Sequence, residues 1–237
     1  MKISVWSSAL AIAAVTLASC TAQAQVKQPR QVGSFQAVQS GGGIDVYLTQ
    51  GPNTKVVVEA SPEAQEHVVT EVQDGTLKIG WERNYSLKNL LKGKGNVNVY
   101  ITCPRLTGLA MSGGADAKGE SNFTADDFNL EASGGSDVKL TLTAKTLRSV
   151  ASGGSDVDLA GRVDRQKVEV SGGSDYNAFA LQSNTASVNA SGGSVVKISV
   201  EGELNSSASG GSDVRYKGNA RLVNASHSGG SSVRRVQ

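Results

Sequence analysis

Apolar and polar residues alternate along most of the second half of the chain, and the alternation restarts at regular intervals. A period of two places successive side chains on opposite faces of a β-strand. The pattern therefore predicts two short strands per interval, each with one inward face. Around four successive Ser-Gly-Gly triplets the predicted inward residues are Phe128, Leu130, Ala132, Val138, Leu140, Leu142; Leu147, Ala151, Val157, Leu159; Val168, Val170, Tyr176, Ala178; and Val188, Ala190, Val196, Ile198.

The Ser-Gly-Gly triplets themselves form an internal repeat of about 19 residues. They begin at Ser112, Ser133, Ser152, Ser171, Ser191, Ser209 and Ser228, with gaps of 21, 19, 19, 20, 18 and 19 residues, and an earlier copy begins at Ser40. A unit of this length cannot enclose a core alone, so each apolar face must be covered by the next copy. Paired glycines permit the tight bend that such stacking requires. The repeat predicts an all-β parallel solenoid.

Two other repeat architectures fit the sequence less well. Leucine-rich repeats need a Leu-x-x-Leu-x-Leu pattern that is missing here. An antiparallel meander would not require the same residues at the same turn seven times, whereas vertical stacking does. The outward column Lys139, Asp158, Asn177, Lys197 and Arg215 also mixes charges, as a stack of neighbouring strands requires.

The first half alternates as well, and it predicts strands that cover the open end of the solenoid. A single domain over residues 25–237 is expected, with N-terminal strands in 25–105 and repeats in 106–237. Asp74-Gly75 is a hairpin signal, Ser61 can cap one helical turn at 62–66, and 85–95 reads as a polar loop. The predicted strands are Phe35–Val38, Ile44–Leu48, Lys55–Glu59, Val68–Val72, Leu77–Trp81 and Val97–Ile101.

Residues 1–24 have the features of a secretory signal, with Lys2 before an apolar stretch. Two processing routes fit. Leu17-Ala18-Ser19-Cys20 resembles a bacterial lipobox in which Cys20 is lipidated, while Ala22-Gln23-Ala24 suits cleavage after Ala24. The first route predicts a lipid-anchored protein and the second a soluble exported one, in the periplasm, at the outer membrane or at the cell surface.

Composition narrows the function classes. The formal net charge is only +2 and aromatic residues are 5%, so a strongly basic surface that would bind nucleic acid is not expected. Cys103 has no disulfide partner once Cys20 is lipidated or removed, and it is predicted to be buried. Neither His67 nor His227 has a partner at metal-ligand spacing, and no cofactor is expected.

An aspartate column is the most visible polar feature. Asp116, Asp137, Asp156 and Asp175 follow four successive turns, and in a solenoid they would lie above one another. Two interpretations are that each accepts a backbone N–H at its turn, or that the column holds calcium or another cation. A third pairs Asp156 and Asp175 for glycoside cleavage, with Arg148 or Arg162 holding the substrate. Three rings are candidates for sugar stacking, with Tyr176 and Tyr216 expected inward and Phe179 outward.

Four segments together with the Ser-Gly-Gly-Ser-Asp copies resemble the family called putative auto-transporter adhesin, head GIN domain: Phe35–Leu48, Val56–Ala60, Glu71–Ile79 and Val97–Gly114. The resemblance implies a right-handed parallel β-helix of the cell envelope, often with a lipoprotein signal. It implies no catalytic residues. The expected function is a non-catalytic surface module that binds glycan or an envelope protein; the alternatives are a polysaccharide-cleaving enzyme and a purely structural envelope protein.

Overall fold

The computed structural model describes residues 25–85 and 96–237, and nearly all of its regular structure is β-strand. The predictions for the signal segment and for most of the polar loop lie outside these residues. The elements are β1 (Val26–Arg30), β2 (Ala37–Gly41), β3 (Ile44–Gln50), β4 (Lys55–Ala60), α1 (Pro62–His67), β5 (Val68–Gln73), β6 (Thr76–Trp81), β7 (Val97–Cys103), β8 (Gly108–Ser112), β9 (Ala117–Ser133), β10 (Asp137–Ser152), β11 (Asp156–Val170), β12 (Asp175–Ala190), β13 (Val195–Ala208), β14 (Asp213–Lys217), β15 (Arg221–His227) and β16 (Ser232–Arg235).

The repeats stack as a parallel β-solenoid of about seven turns, as the sequence predicts. Strands β9 to β13 pair in parallel, each with the next, and Val138 lies opposite Val157, which lies opposite Tyr176. The alternative of an antiparallel meander is therefore wrong. The predicted inward residues are all buried, and one core cluster runs from Phe35 to Tyr216. The extent of the domain, 25–237, stays a prediction.

From β9 to β13 each coil is one long bent strand, so the prediction of two short strands per repeat is wrong there, whereas the coil of β14 and β15 has two. Strands β9 to β13 are 14 to 17 residues long and continue around the second corner without a break in strand hydrogen bonding. Some corners use a glycine with positive φ, such as Gly161, where a Cβ would lie 2.1 Å from the Leu142 carbonyl oxygen. Sequence alternation does not reveal a corner of this kind, because the strand keeps its pairing through it.

The first corner of each coil is the Gly-Gly turn, and from β10 to β14 a buried serine follows the glycines. Gly153 and Gly154 have φ of 68° and 75°. The next residue, Ser155, accepts the N–H of Ser152 at 3.1 Å and donates its hydroxyl to the carbonyl of Ala132 in the preceding coil, also at 3.1 Å. The side chain thus joins its own turn to its neighbour, and Ser136, Ser212 and Ser231 repeat this arrangement.

The N-terminal strands close one end of the solenoid, as expected. β6 and β7 add in parallel below β2 and β3, and then β5, β4 and β1 pair antiparallel to cover them. The predicted strands are present, and so are the Asp74-Gly75 hairpin and the helix capped by Ser61. Two strands, β1 and β8, were not predicted. Arg30 of β1 donates to the carbonyl and side-chain oxygens of Gln65, which fixes the cap.

The first turn is shifted by one residue from its predicted position. Its positive-φ residues are Gly42 and Gly43, and Gly41 pairs with Ser112, the first residue of the next triplet. Trp81 covers the lower side of this turn, since its indole N–H donates to the carbonyl of Gly42 at 2.9 Å. The predicted copy at Ser40 is therefore a turn at Gly41-Gly42-Gly43.

The last coil, β15 and β16, is hydrogen-bonded to the coil before it and is not frayed, but its strands are exposed. β15 pairs in parallel with β13 and β16 with β14, while all seven residues of β15 are exposed. His227 and Arg235 lie opposite the inward residues Ala208 and Tyr216 of the preceding coil, but both are in solvent. No helix in the described part of the chain is long and apolar enough to cross a membrane.

Candidate functional site

The strand residues that directly follow the Gly-Gly turns present a flat outward surface, called here the post-turn face. Its side chains fall into two columns because every second residue of a strand points outward and the coils stack in register. The first column is Asp45, Asp116, Asp137, Asp156, Asp175, Val195, Asp213 and Ser232, and the second is Tyr100, Tyr47, Lys118, Lys139, Asp158, Asn177, Lys197, Arg215 and Arg234.

The N-terminal half of this face contains a shallow groove of about 370 Å³. It brings together three of the four predicted aspartates, Asp116, Asp137 and Asp156, and adds Asp45, which sequence reasoning missed. The one-residue shift of the first turn explains the omission, because only a turn at Gly42-Gly43 places Asp45 in the column. The groove is also lined by Tyr47, Lys118, Lys139 and Asp158.

The aspartates link one coil to the next in part of the column. Asp45 Oδ1 accepts the backbone N–H of Asp116 at 3.1 Å, and Asp116 Oδ1 accepts that of Asp137 at 2.9 Å. The sequence predicted that each aspartate accepts an N–H at its own turn, whereas the donor lies in the next coil. Among the described residues, no such bond is found beyond Asp116. Asp137, Asp156 and Asp175 therefore face solvent with less restraint, whereas Asp213 accepts from Arg215, Ser232 and Arg234.

Burial, with neighbouring carboxylates, raises the pKa values of two carboxyls in the column. Burial raises the pKa of Asp137 above its ordinary value, and the charges of Asp116, Asp156 and Asp158 raise it further. Burial likewise raises the pKa of Asp45, where the N–H of Asp116 acts in the opposite direction. At neutral pH the ionised forms of these two carboxyls therefore oppose folding.

Replacing Asp137 by Asn is expected to stabilise the protein at pH 7 and to have no stabilising effect at pH 3. The folded state favours the protonated carboxyl, so the cost is absent below the unfolded pKa near 3.8 and grows as the pH rises through the folded value. Because the side chain is exposed, the gain should stay below about 1 kcal/mol. Urea unfolding at both pH values measures it.

Asp175→Asn is the matched control, since Asp175 has a carboxylate on one side and Val195 on the other. It should gain less than Asp137→Asn at pH 7. An equal gain for Asp137→Asn at pH 3 would show that charge repulsion is not the cause.

The structure does not assemble a cation site from these carboxylates. In residues 25–85 and 96–237, no group of three or more His, Cys, Asp or Glu side chains is arranged to hold a metal ion. Calcium takes six to eight oxygen ligands, which a single column of carboxylates does not supply. Cation binding by Asp116, Asp137, Asp156 and Asp175 stays a prediction.

The arginines proposed for an enzyme site lie elsewhere. Asp156 and Asp175 are direct neighbours in the column, but Arg148 pairs with Glu169 at 3.6 Å on the strands that precede the turn. Arg162 lines a separate groove with Asp164 and Gln182. The sequence gives the position of each residue within its repeat, but it does not show which side of the coil that position occupies. For this reason the arginines were grouped with Asp156 and Asp175.

Two aromatic features stand on or beside the post-turn face. In the first, Tyr47 stacks on Tyr100 with ring centroids 5.1 Å apart, and the Tyr100 hydroxyl donates to Glu59 at 2.7 Å, an interaction that raises the Tyr100 pKa to about 12. Neither tyrosine was singled out from the sequence. Their alternation with inward Val and Leu residues in β3 and β7 was the available signal.

Phe179 forms the second aromatic feature. Phe179 follows buried Ala178 and points outward at the edge of the face, as expected, and the register shifts directly after it, between Ala178 and Gln182. The ammonium of Lys217 lies 5.3 Å from the centroid of the Phe179 ring. Two residues before Phe179, the side-chain amide of Asn177 donates to Asp158 at 2.7 Å. Tyr176 and Tyr216 are buried in the core, as predicted.

Charge is divided along the face. From β3 to β12 its columns contain six aspartates and two lysines, whereas the coils from β13 onward contain Lys197, Arg215 and Arg234 against one aspartate. Burial tends to raise the pKa of that residue, Asp213, but Ser232 and the two arginines lower it below the ordinary value. The face is acidic in its N-terminal part and basic in its C-terminal part.

The remaining candidate nucleophile is inert. Cys103 is fully buried, and burial raises its pKa to about 11, so the thiolate is scarce at neutral pH. His67 contacts Glu82 at 3.3 Å and stacks with Tyr85, away from the serine turns. These residues support no nucleophilic chemistry in the part of the chain that the structure describes.

Comparisons with known proteins agree with this architecture. The model of the family described as "Putative auto-transporter adhesin, head GIN domain" matches residues 34–220. A solved putative adhesin from Bacteroides fragilis is similar, with a TM-score of 0.82 and 21% identity over 90% of this chain and 97% of that one. No curated protein is a significant match.

Two further solved structures share the fold over the same fractions of each chain. A putative lipid binding protein from Parabacteroides distasonis has a TM-score of 0.68 and 18% identity, and a putative adhesin from Parabacteroides merdae has 0.64 and 16%. At these identities the likeness supports the solenoid fold and leaves the ligand open.

Proposed function

Because the chain belongs to the putative auto-transporter adhesin, head GIN domain family, we propose that it is an exported, non-catalytic surface adhesin whose post-turn face binds an extended glycan. The observation that carries the proposal is the placement of two aromatic residues, Tyr47 on the flat polar post-turn face and Phe179 at its edge, with polar groups between them. The structure provides a surface of this kind without the deep pocket expected for a small molecule.

The spacing of the aromatic rings favours a linear ligand. Tyr47 and Phe179 lie four coils apart, which corresponds to about 19 Å along the solenoid at the usual strand spacing. Between them lie carboxylate, ammonium and amide groups that can exchange hydrogen bonds with hydroxyls. Sugar rings stack on aromatic side chains through their apolar faces, so two such platforms would hold both ends of an oligosaccharide.

The charge of the surface narrows the glycan class. Six aspartates and two lysines between β3 and β12 leave a formal charge of −4 in these columns. Acidic polysaccharides would be repelled there, whereas neutral glycans and glycans bearing amino groups would not. We therefore favour a neutral or amino-bearing oligosaccharide over an acidic one. A protein ligand on this face is the competing outcome.

Export follows from the proposed signal in residues 1–24. If Cys20 is lipidated, the protein is anchored in a membrane without spanning it, and if cleavage follows Ala24 it is released. Membrane partitioning before and after globomycin treatment separates the two routes. No cofactor and no nucleic acid enter the proposal.

A glycan array with the mature wild-type protein tests the proposal. We expect binding to at least one extended neutral or amino-bearing glycan, with no release of reducing ends from it. Tyr47→Ala and Phe179→Ala should each weaken binding about tenfold, which corresponds to loss of roughly 1.4 kcal/mol.

Asn189→Ala is the matched control, because Asn189 is exposed on the strand that precedes the turn and lies off the post-turn face. Its binding should equal that of the wild type. An array without signal would remove the glycan proposal and leave a protein-binding or purely structural role. Signal that persists in both aromatic variants would place the ligand on another surface.

A further inference from the structure

The C-terminal edge, defined as the outer sides of β15 and β16, differs from the N-terminal end of the solenoid. β1, β5 and α1 close the N-terminal end, whereas β15 pairs only with β13 and β16 only with β14 in the described structure. An unpaired strand side presents rows of N–H and C=O groups, which form a template for another strand.

The turn of the last coil keeps the geometry of the interior turns, while β15 contains one bulge, at Val223. Gly229 and Gly230 have φ of 66° and 77°, the values found at the interior turns. Ser231 accepts the N–H of Ser228 at 3.0 Å and donates to the carbonyl of Ala208 at 2.8 Å, as the interior serines do. A strand that followed the same path would find its hydrogen-bonding partners already in register.

Apolar side chains accompany the free backbone groups. Leu222 and Val223 of β15 are 39% and 42% exposed and are among the few large hydrophobic side chains exposed on the described surface. A groove of about 540 Å³, lined by Lys217, Gly218, Arg235, Val236 and Gln237, lies at the same end. The edge thus offers both main-chain pairing and side-chain contacts.

The charge at this end selects the partner. After Asp213 the sequence contains no Asp or Glu but five cations, Arg215, Lys217, Arg221, Arg234 and Arg235. Arg221 pairs with Glu203, and Arg234 with Asp213. Neither Lys217 nor Arg235 has an acidic group within ion-pair distance among the described residues. A second copy approaching end to end would oppose like charges, so self-pairing is unfavourable.

We propose that the C-terminal edge binds an acidic, extended segment of another protein by strand addition, which adds one coil to the solenoid. Main-chain hydrogen bonds to β15 and β16 supply affinity. Lys217 and Arg235 select acidic side chains at the groove, and Leu222 contacts apolar ones. This edge adjoins the post-turn face, because β16 contributes to both and Lys217 also contacts Phe179. The inference rests on the backbone edge of β15 and β16 and does not depend on the glycan proposal.

A synthetic peptide with the sequence of residues 116–135 is a suitable probe. It has the length of one coil, it alternates, and it contains its own Gly-Gly turn; Asp116, Glu120, Asp126, Asp127 and Glu131 against Lys118 give it a formal charge of −5 + 1 = −4. With labelled peptide and the full mature chain, we expect saturable binding by fluorescence anisotropy. The amides of β15 and β16 should gain hydrogen-exchange protection.

Variants decide between strand addition and simple charge attraction. Arg235→Glu should weaken binding at least tenfold, while Arg165→Glu, an exposed arginine of β11, should not change it. A scrambled peptide of the same composition should bind at least tenfold more weakly, since its alternation is lost. Equal binding of the scrambled peptide, no effect of Arg235→Glu, or no binding of the probe would each overturn the proposal.

Discussion

Gly172→Ala is expected to destabilise the protein by about 3 to 5 kcal/mol, combining the cost of a left-handed alanine with that of a steric clash. Gly172 has φ of 67°, and an added Cβ would lie 2.9 Å from the backbone nitrogen of Gly153 in the coil below. Backbone on both sides cannot move without disturbing the stacked turns. Urea unfolding of the variant and wild type at pH 7 gives the difference.

The adjacent glycine provides the matched control. Gly173 has φ of 74°, but a Cβ added there would have no atom outside its immediate neighbours within 4 Å. Gly173→Ala should therefore cost only the backbone contribution, about 1 to 2 kcal/mol. Equal losses for the two variants would show that φ alone, and not contact between coils, requires the first glycine.

Deleting one complete coil is expected to leave a folded protein, whereas deleting half a coil should abolish cooperative unfolding. Removing residues 156–174 joins Ser155 to Asp175 and leaves Val138 opposite Tyr176, because both already occupy the same column. Stability of a stacked repeat is a sum over units and their interfaces, so we expect a loss of about 2 kcal/mol and a fall in Tm of about 4 to 8 °C. Thermal unfolding followed by circular dichroism measures both.

The half-coil control removes residues 156–164 and misaligns every column that follows. Inward and outward residues would exchange faces over part of the stack, and the turns would no longer lie above one another. We expect a broad, non-cooperative transition. A sharp transition in the half-coil variant, or none in the full-coil variant, would contradict unit-by-unit stacking.

The sequence predicts the stacked coils of the solenoid well, because the residues that determine each coil are close in sequence and recur in every repeat. Every second residue is apolar, and the Gly-Gly turn recurs at nearly constant spacing, so inward positions such as Val157 and Val196 could be assigned directly. The strands that close the N-terminal end were harder to predict. β1 contains Pro29 and little apolar pattern, and its pairing with β4 depends on residues about thirty positions away. Long-range antiparallel pairing leaves no periodic signal in a single sequence.

The candidate site was only partly predictable for a related reason. The column of aspartates was visible, but Asp45 was missed because Ser40-Gly41-Gly42 matches the repeat in letters while the bend lies one residue later. The outward position of Phe179 follows from the period of two, but the bulge beyond it, which leaves Phe179 and Ala180 both outside the core, does not. Arg148 and Asp156 lie on different sides of the solenoid because the Gly153-Gly154 turn stands between them, and this could be predicted only with the direction of that turn. The sequence indicated which residues could bind or react, but it did not indicate on which face of the solenoid each of them lies.

The location of β1 within the N-terminal cap has a mechanical consequence. Gln25, which directly precedes that strand, is tied to the cap by a hydrogen bond from its side chain to the Asn96 carbonyl at 2.8 Å. A tether attached to the preceding segment would therefore hold the solenoid at its N-terminal end, which the cap closes. The eight stacked post-turn strands from β3 to β16 would extend roughly 34 Å from that base. The C-terminal edge would then be the part of the solenoid farthest from the point of attachment.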